Sequence, residues 1–165
     1  MRSTGEVMGI SEFFSLAFAK SQIAAGVHLP TEGNIFLSVT DRDKDVAMQL
    51  AQRLSDMGFG ILATDGTGRR LAEEGIASQP VKKLPEGHPN LTDYMIDGKV
   101  SLVINTPKGK GARTDEGIIR AAAVQYGVPC ITTIQAAEAA VMAMEALRER
   151  ELSVLAIQDR LATTS

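Results

Sequence analysis

The sequence predicts a doubly wound α/β domain: a five-stranded parallel sheet with helices on both faces. Three observations carry this expectation. Short, nearly continuous apolar runs alternate with amphipathic segments, and runs without polar alternation belong to strands covered on both sides. The clearest amphipathic segment, Asp41 to Met57, gathers Val46, Ala47, Leu50, Ala51 and Leu54 on one face and is closed by Gly58. The apolar run Phe59 to Ala63 stops at Thr64-Asp65-Gly66-Thr67-Gly68, where a helical segment begins at once.

The elements follow in order. Residues 1–10 read as irregular, and their Gly and polar content reads as the tail of something upstream. Ser11 to Ala25 predicts a helix capped by Ser11, with Phe13, Leu16, Ala17 and Ala24 as its apolar stripe. Gly26 to Gly33, with Pro30, reads as a linker. The domain division is therefore set at 1–30, a preceding piece and connecting helix, and 31–165, the main domain. Strands are predicted at Ile35–Val39, Phe59–Ala63, Gln79–Lys83, Val100–Ile104 and Val128–Thr132. Helices are predicted at Asp41–Met57, Arg69–Glu74, Leu91–Ile96, Thr114–Gln125 and Ile134–Glu149. Asn105 to Gly111 reads as a Gly/Lys-rich loop, and residues 151–165 as a further helical turn or two.

Composition removes several function classes. The chain has 165 residues and a net charge of −3 with no long basic block, which argues against nucleic acid held through its backbone. Cys130 is the single cysteine, so no internal disulfide forms, in keeping with a reducing, cytoplasmic setting. No apolar run reaches the length of a membrane span, and the N-terminus lacks the apolar core of a signal peptide. His28 and His88 have no partner pattern for zinc, so no metal site is expected. Cys130 is expected to be a buried structural residue of a strand.

In parallel α/β sheets, ligands sit at the carboxyl ends of the strands. That rule gathers Ser38, Thr64, Lys83 and Asn105 at one rim, with Lys44, Gly66 and Thr67 close in sequence. A glycine turn entering a helix leaves backbone N–H groups unpaired and adds the positive end of the helix dipole. Hydroxyls, such an N–H array and lysines from separate strand ends together describe a phosphomonoester site. Asn105 is placed to bond a ribose hydroxyl. Capping of the short helix is an equally good account of Thr64 and Thr67 as a pair, and a lone lysine is ordinarily solvated surface. Gly66-x-Gly68 is not a full dinucleotide fingerprint, and no acidic residue follows at the ribose-pairing distance.

Over essentially its whole length the chain resembles the C-terminal end of the carbamoyl-phosphate synthetase large subunit. Met1-Arg-Ser-Thr-Gly-Glu-Val-Met-Gly9 is similar to the last stretch of that enzyme's second ATP-grasp half, and Phe14 to Gly26 to the helix and link that follow. Ser38 to Lys44, Ala63 to Thr67, Leu102 to Thr106 and Thr132-Thr133 resemble segments of its regulatory domain. The resemblance implies the methylglyoxal-synthase-like fold and a shared site for UMP, an inhibitor, and IMP, an activator. It implies Ser38, Lys44, Thr64, Gly66, Thr67 and Lys83 as phosphate ligands. Asn105 and Thr106 would face the ribose, and Leu84, Leu91 and Ile119, with Asp115 nearby, would enclose the base. Thr132 matches a position that relays an ornithine signal. Partners implied are the remaining synthetase domains, the glutaminase small subunit and other large subunits. No cofactor is implied for this domain; ATP and magnesium serve the parent enzyme. Two departures stand out. Pro107 replaces a threonine and offers neither hydroxyl nor N–H, which removes support for one ribose contact. Cys130 stands where some relatives have a tyrosine that assists the ornithine site.

Two function classes follow: a regulatory nucleotide-binding module with no catalytic residue of its own, or a methylglyoxal synthase acting on dihydroxyacetone phosphate. The second needs a carboxylate base and a histidine electrophile. Gly87-His88-Pro89-Asn90-Leu91 holds no carboxylate where the family's synthases carry theirs, and Lys108-Gly-Lys-Gly111 replaces their histidine loop.

Overall fold

A computed structural model describes residues 5–82, 86–106 and 115–149. In chain order the elements are α1 (Phe14–Ala24), β1 (Asn34–Ser38), α2 (Lys44–Asp56), β2 (Gly60–Ala63), α3 (Asp65–Glu73), β3 (Gln79–Pro80), α4 (Leu91–Ile96), β4 (Leu102–Asn105), α5 (Asp115–Gln125), β5 (Cys130–Ile131) and α6 (Ile134–Glu149). The strands form one parallel sheet in the order β3-β2-β1-β4-β5. The order reverses at β1, which puts the switch point of the sheet beside its central strand.

Strand side chains alternate between two apolar layers. Ile35, Leu37, Ile61, Ala63, Leu102 and Ile104 pack with buried residues of α1, α2, α3 and α6. Phe36, Leu62 and Val103 pack on the opposite face with Leu91 and Met95 of α4 and Ile119, Ala122 and Ala123 of α5. Burial on both faces is the reason these strands read as unbroken apolar runs. Gly58 ends α2 with φ +86°, where Phe59 N–H reaches back to the Leu54 carbonyl at 3.0 Å. A two-pronged pair, Arg53 Nε to Glu145 Oε1 at 2.7 Å and the second guanidinium nitrogen to Oε2, ties α2 to α6.

Three expectations about the elements need correction. The first helix begins at Phe14, and the Ser11 hydroxyl accepts from Phe13 N–H at 3.4 Å without capping it. Its buried face is Leu16 and Ala19, while Phe13 is exposed and Ala24 lies outside the core. The helix after β2 starts at Asp65, four residues before the expected Arg69. Gly66, Thr67 and Gly68 are poor helix formers, but Leu71 is fully buried and Thr67 is 2% exposed, so packing overrides propensity. The outer strands β3 and β5 shrink to two residues each because each pairs on one side only. Cys130, on that edge, is therefore half-buried rather than buried, and partial burial raises its thiol pKa. α1 lies against α6, with Ala19 in the same apolar layer as the sheet.

Candidate phosphate site

The turn after β2 is built by its backbone. Thr64 is extended at φ −71°, ψ 157°, and its carbonyl takes the first helical bond, from Gly68 N–H at 2.7 Å. The N–H groups of Asp65, Gly66 and Thr67 therefore precede the first hydrogen-bonded turn. Thr64 does not cap the helix with its side chain; it is 5% exposed, and its hydroxyl makes no hydrogen bond among the described residues. The Thr67 hydroxyl braces the neighbouring loop, accepting from Val39 N–H at 3.4 Å.

The loop after β1 supplies the facing wall. A single 3-10 turn, Asp41–Asp43, delivers Lys44 as the first residue of α2. Asp43, 9% exposed, organises this turn. Its carboxylate accepts from the Thr40 hydroxyl at 2.8 Å and from the Thr106 hydroxyl, while Thr40 N–H donates to Thr106 Oγ1 at 3.0 Å. Burial pushes the Asp43 carboxyl up, but the two hydroxyl bonds and the Arg42 guanidinium outweigh it and hold the pKa below the ordinary value. The network stitches the ends of β1 and β4 together.

These pieces close around a cleft of about 210 Å³ lined by Ser38, Thr40, Asp41, Lys44, Thr64, Asp65, Gly66, Thr67, Glu86 and Thr106 among others. That space suits a phosphate group and part of its carrier, being smaller than the ~300–1,000 Å³ of whole-ligand pockets. Five of the six residues expected to hold phosphate (Ser38, Lys44, Thr64, Gly66 and Thr67) meet here. Lys83 and Leu84 lie outside the described residues, as does the Lys108–Gly111 loop. Asn105 pairs in register with Ser38 but is 1% exposed and does not line the cleft, whereas Thr106 does. Leu91 and Ile119, each 1% exposed, sit in the apolar layer under the sheet rather than on the cleft wall. Asp115 is the first residue of α5. Thr132 follows β5 and is half-buried, beyond β4 from the cleft.

The carboxylates of the site escaped the sequence reading. Asp41, Asp65 and Glu86 line the cleft, and Asp43 supports it. One signal was present: Thr40-x-x-Asp43 ahead of a helix has the capping-box spacing, although here the hydroxyl bonds the carboxylate directly. His88 is engaged elsewhere, its Nδ1 2.7 Å from Asp93 Oδ2. Asp93, whose carboxyl is held below its ordinary range first by Asn90 N–H and then by His88, completes the capping box of α4.

Asp43 yields a pH prediction. Its folded pKa lies below the unfolded value near ~3.9, so its contribution to stability is complete above that value and is lost as pH falls through the folded one. In urea unfolding, Asp43→Asn is expected to fall short of the parent chain at pH 6 and to converge with it towards pH 2. A gap of constant size across that range would show that the charge of Asp43 is irrelevant.

The family model for the MGS-like domain matches residues 46–132. The carbamoyl phosphate synthase large chain of Rhodopirellula baltica is 60% identical over 162 residues, covering 98% of this chain and 15% of that protein. The carbamoyl phosphate synthase large chain, C-terminal section, of Aquifex aeolicus is 45% identical over 164 residues, 96% of this chain and 30% of that protein. This chain thus spans only a small part of the curated relatives it matches. A crystal structure of methylglyoxal synthase from Elizabethkingia anophelis superposes with a TM-score of 0.56 over 77% of this chain and 97% of that one. At 18% identity, that likeness speaks for the fold alone.

Proposed function

The chain belongs to the MGS-like domain family, and on that premise we propose that it is a regulatory module that binds the phosphate of a nucleoside monophosphate, UMP or IMP, in the cleft beside β1 and β2. The setting is a carbamoyl phosphate synthase large chain, whose synthetase domains, glutaminase subunit and neighbouring large chains are the partners through which binding acts. The reading carries with it a cytoplasmic location, no cofactor for this domain, and ATP with magnesium in the parent enzyme. One observation carries it: a helix-start N–H array, a buried hydroxyl without a partner among the described residues, and a part-buried lysine converge on one cleft. Similarity to carbamoyl phosphate synthase large chains over nearly the whole length supplies the context. Coupling between such a site and attached domains is typically worth about 1–3 kcal/mol and is reciprocal.

Calorimetric titration with UMP, IMP, inorganic phosphate and uridine tests the reading. Saturable heat is expected with at least one nucleotide, weaker binding with phosphate and none with uridine. Absence of binding by both nucleotides overturns it. The carboxylates at the cleft give the methylglyoxal synthase alternative one foothold, a base beside a phosphate site. The electrophile is missing from the cleft's described lining, since His88 pairs with Asp93. Methylglyoxal formed from dihydroxyacetone phosphate above the uncatalysed rate would reverse this ranking.

A further inference from the structure

The two sides of the cleft differ in hydrogen-bond character. On the β2 side stand donors, the N–H groups that open α3 and the Thr64 hydroxyl, which has no partner among the described residues. On the β4 side stand Thr40 and Thr106, which line the cleft and are 7% and 3% exposed. Both hydroxyls bond Asp43, which is 9% exposed and supports the cleft without lining it. From this arrangement we propose that Asp43 is a positioning residue that sets the polarity of the cleft: it takes the hydroxyl protons of Thr40 and Thr106 and so makes their wall an acceptor of hydrogen bonds. A phosphomonoester is thereby oriented, with its phosphate on the α3 side and a hydroxyl of its carrier on Thr40 and Thr106. The inference rests on the reading of the cleft as a phosphate site.

Each proton on this wall can be assigned. An ionised carboxylate only accepts, and a threonine hydroxyl owns one proton and two lone pairs. The Thr40 hydroxyl, 2.8 Å from Asp43 Oδ2, therefore donates, and so does the Thr106 hydroxyl on the same carboxylate. Asp43 stays ionised: burial pushes its carboxyl up, but the two hydroxyl bonds and the Arg42 guanidinium, with Nε 3.5 Å from Oδ1, hold it below the ordinary range. Thr106 Oγ1 also accepts from Thr40 N–H at 3.0 Å, which leaves it one lone pair, while Thr40 Oγ1 keeps two. Whatever either hydroxyl offers a ligand is thus a lone pair. A phosphate oxygen brings lone pairs of its own and is disfavoured there, whereas a carrier hydroxyl can donate. On the α3 side the preference is the reverse, since N–H groups at a helix start favour an anion.

The test measures binding of UMP, its 2′,3′-dideoxy counterpart and inorganic phosphate to the full 165-residue chain and to Thr40→Val, Thr40→Ser, Asp43→Asn and Asp45→Asn, below the unfolding transition of each. The parent is expected to favour UMP over the dideoxy nucleotide roughly five- to twentyfold, the worth of one or two hydrogen bonds. Thr40→Val removes an acceptor at nearly equal volume and is expected to cut that preference about threefold, with a smaller effect on inorganic phosphate. Thr40→Ser keeps the hydroxyl and is expected to keep the preference. In Asp43→Asn the amide takes one hydroxyl proton but donates to the other hydroxyl, whose own proton then turns to the cleft. Inorganic phosphate is expected to bind that variant roughly two- to fivefold more tightly, a change opposite in sign to a loss of structure. Asp45→Asn removes a charge next to Lys44 from a side chain that is 88% exposed and pairs with Arg70, and is expected to leave phosphate binding within about twofold. An unchanged preference in Thr40→Val, no preference in the parent, weaker phosphate binding by Asp43→Asn, or equal tightening by Asp45→Asn overturns the role of Asp43 while leaving the phosphate site standing. Failure of the parent and of every variant to bind UMP or phosphate overturns the site and the inference together.

Discussion

Lys44→Ala is expected to weaken UMP binding roughly ten- to hundredfold, the usual worth of one charge-assisted contact to phosphate. The magnitude follows from position. Lys44 opens α2 at the wall of the cleft, with its side chain 22% exposed, so its charge is screened by solvent less than that of a surface lysine. The remaining donors, the N–H groups of Asp65, Gly66 and Thr67 and the Thr64 hydroxyl, keep residual affinity and prevent complete loss. Lys44→Arg is expected to recover only part of it, because the planar fork is longer and Asp41 accepts it readily. Salt adds a second readout: the parent's affinity for UMP falls more steeply with ionic strength than that of Lys44→Ala. An alanine variant binding within twofold of the parent would remove Lys44 from the site.

How much of this was legible beforehand depends on which signal each element carries. β1, β2 and β4 were readable because Ile35 to Leu37, Ile61 to Ala63 and Leu102 to Ile104 are buried on both sides, and no polar residue interrupts them. α2 was readable because its five buried residues keep helical spacing. The start of α3 was not, since Gly-Thr-Gly carries no helical preference and only the packing of Thr67 and Leu71 makes it helical. The outer strands were overextended because an apolar run says nothing about whether a neighbour exists to pair with it. At the site, the rule that ligands gather at strand carboxyl ends found Ser38, Thr64 and their neighbours without help from any family. The acidic side of the cleft stayed hidden. Asp41, Asp65 and Glu86 sit in turns or at a helix start, and charge there has no periodicity to reveal which way it faces. Leu91 and Ile119 came to the base only through the family resemblance, and both lie in the apolar layer that α4 and α5 form against the sheet.

That layer sets the largest stability effect. Phe36→Ala is expected to destabilise the chain by about 3–5 kcal/mol, against a total of roughly 5–15 kcal/mol for a domain. Phe36 is 1% exposed at the middle of β1, the central strand, in register with Leu62 on one side and Val103 on the other. Its ring fills the space between those strands and the helices α4 and α5. Backbone pairing on both flanks keeps the sheet from closing over the gap, so the full cavity term is expected. The measurement is urea unfolding, with a lower midpoint at an unchanged slope. Val124→Ala, at a position 75% exposed on α5, is the control and is expected to stay within about 0.5 kcal/mol. Phosphate binding serves as an independent check below the unfolding transition. Ser38 and Lys44 are positioned by the Thr40–Asp43–Thr106 network at the strand ends, not by the Phe36 ring. The weakened chain should therefore bind UMP with near-parent affinity while it remains folded. A loss of binding without unfolding would mean that the apolar layer, and not the rim network, fixes the geometry of the site.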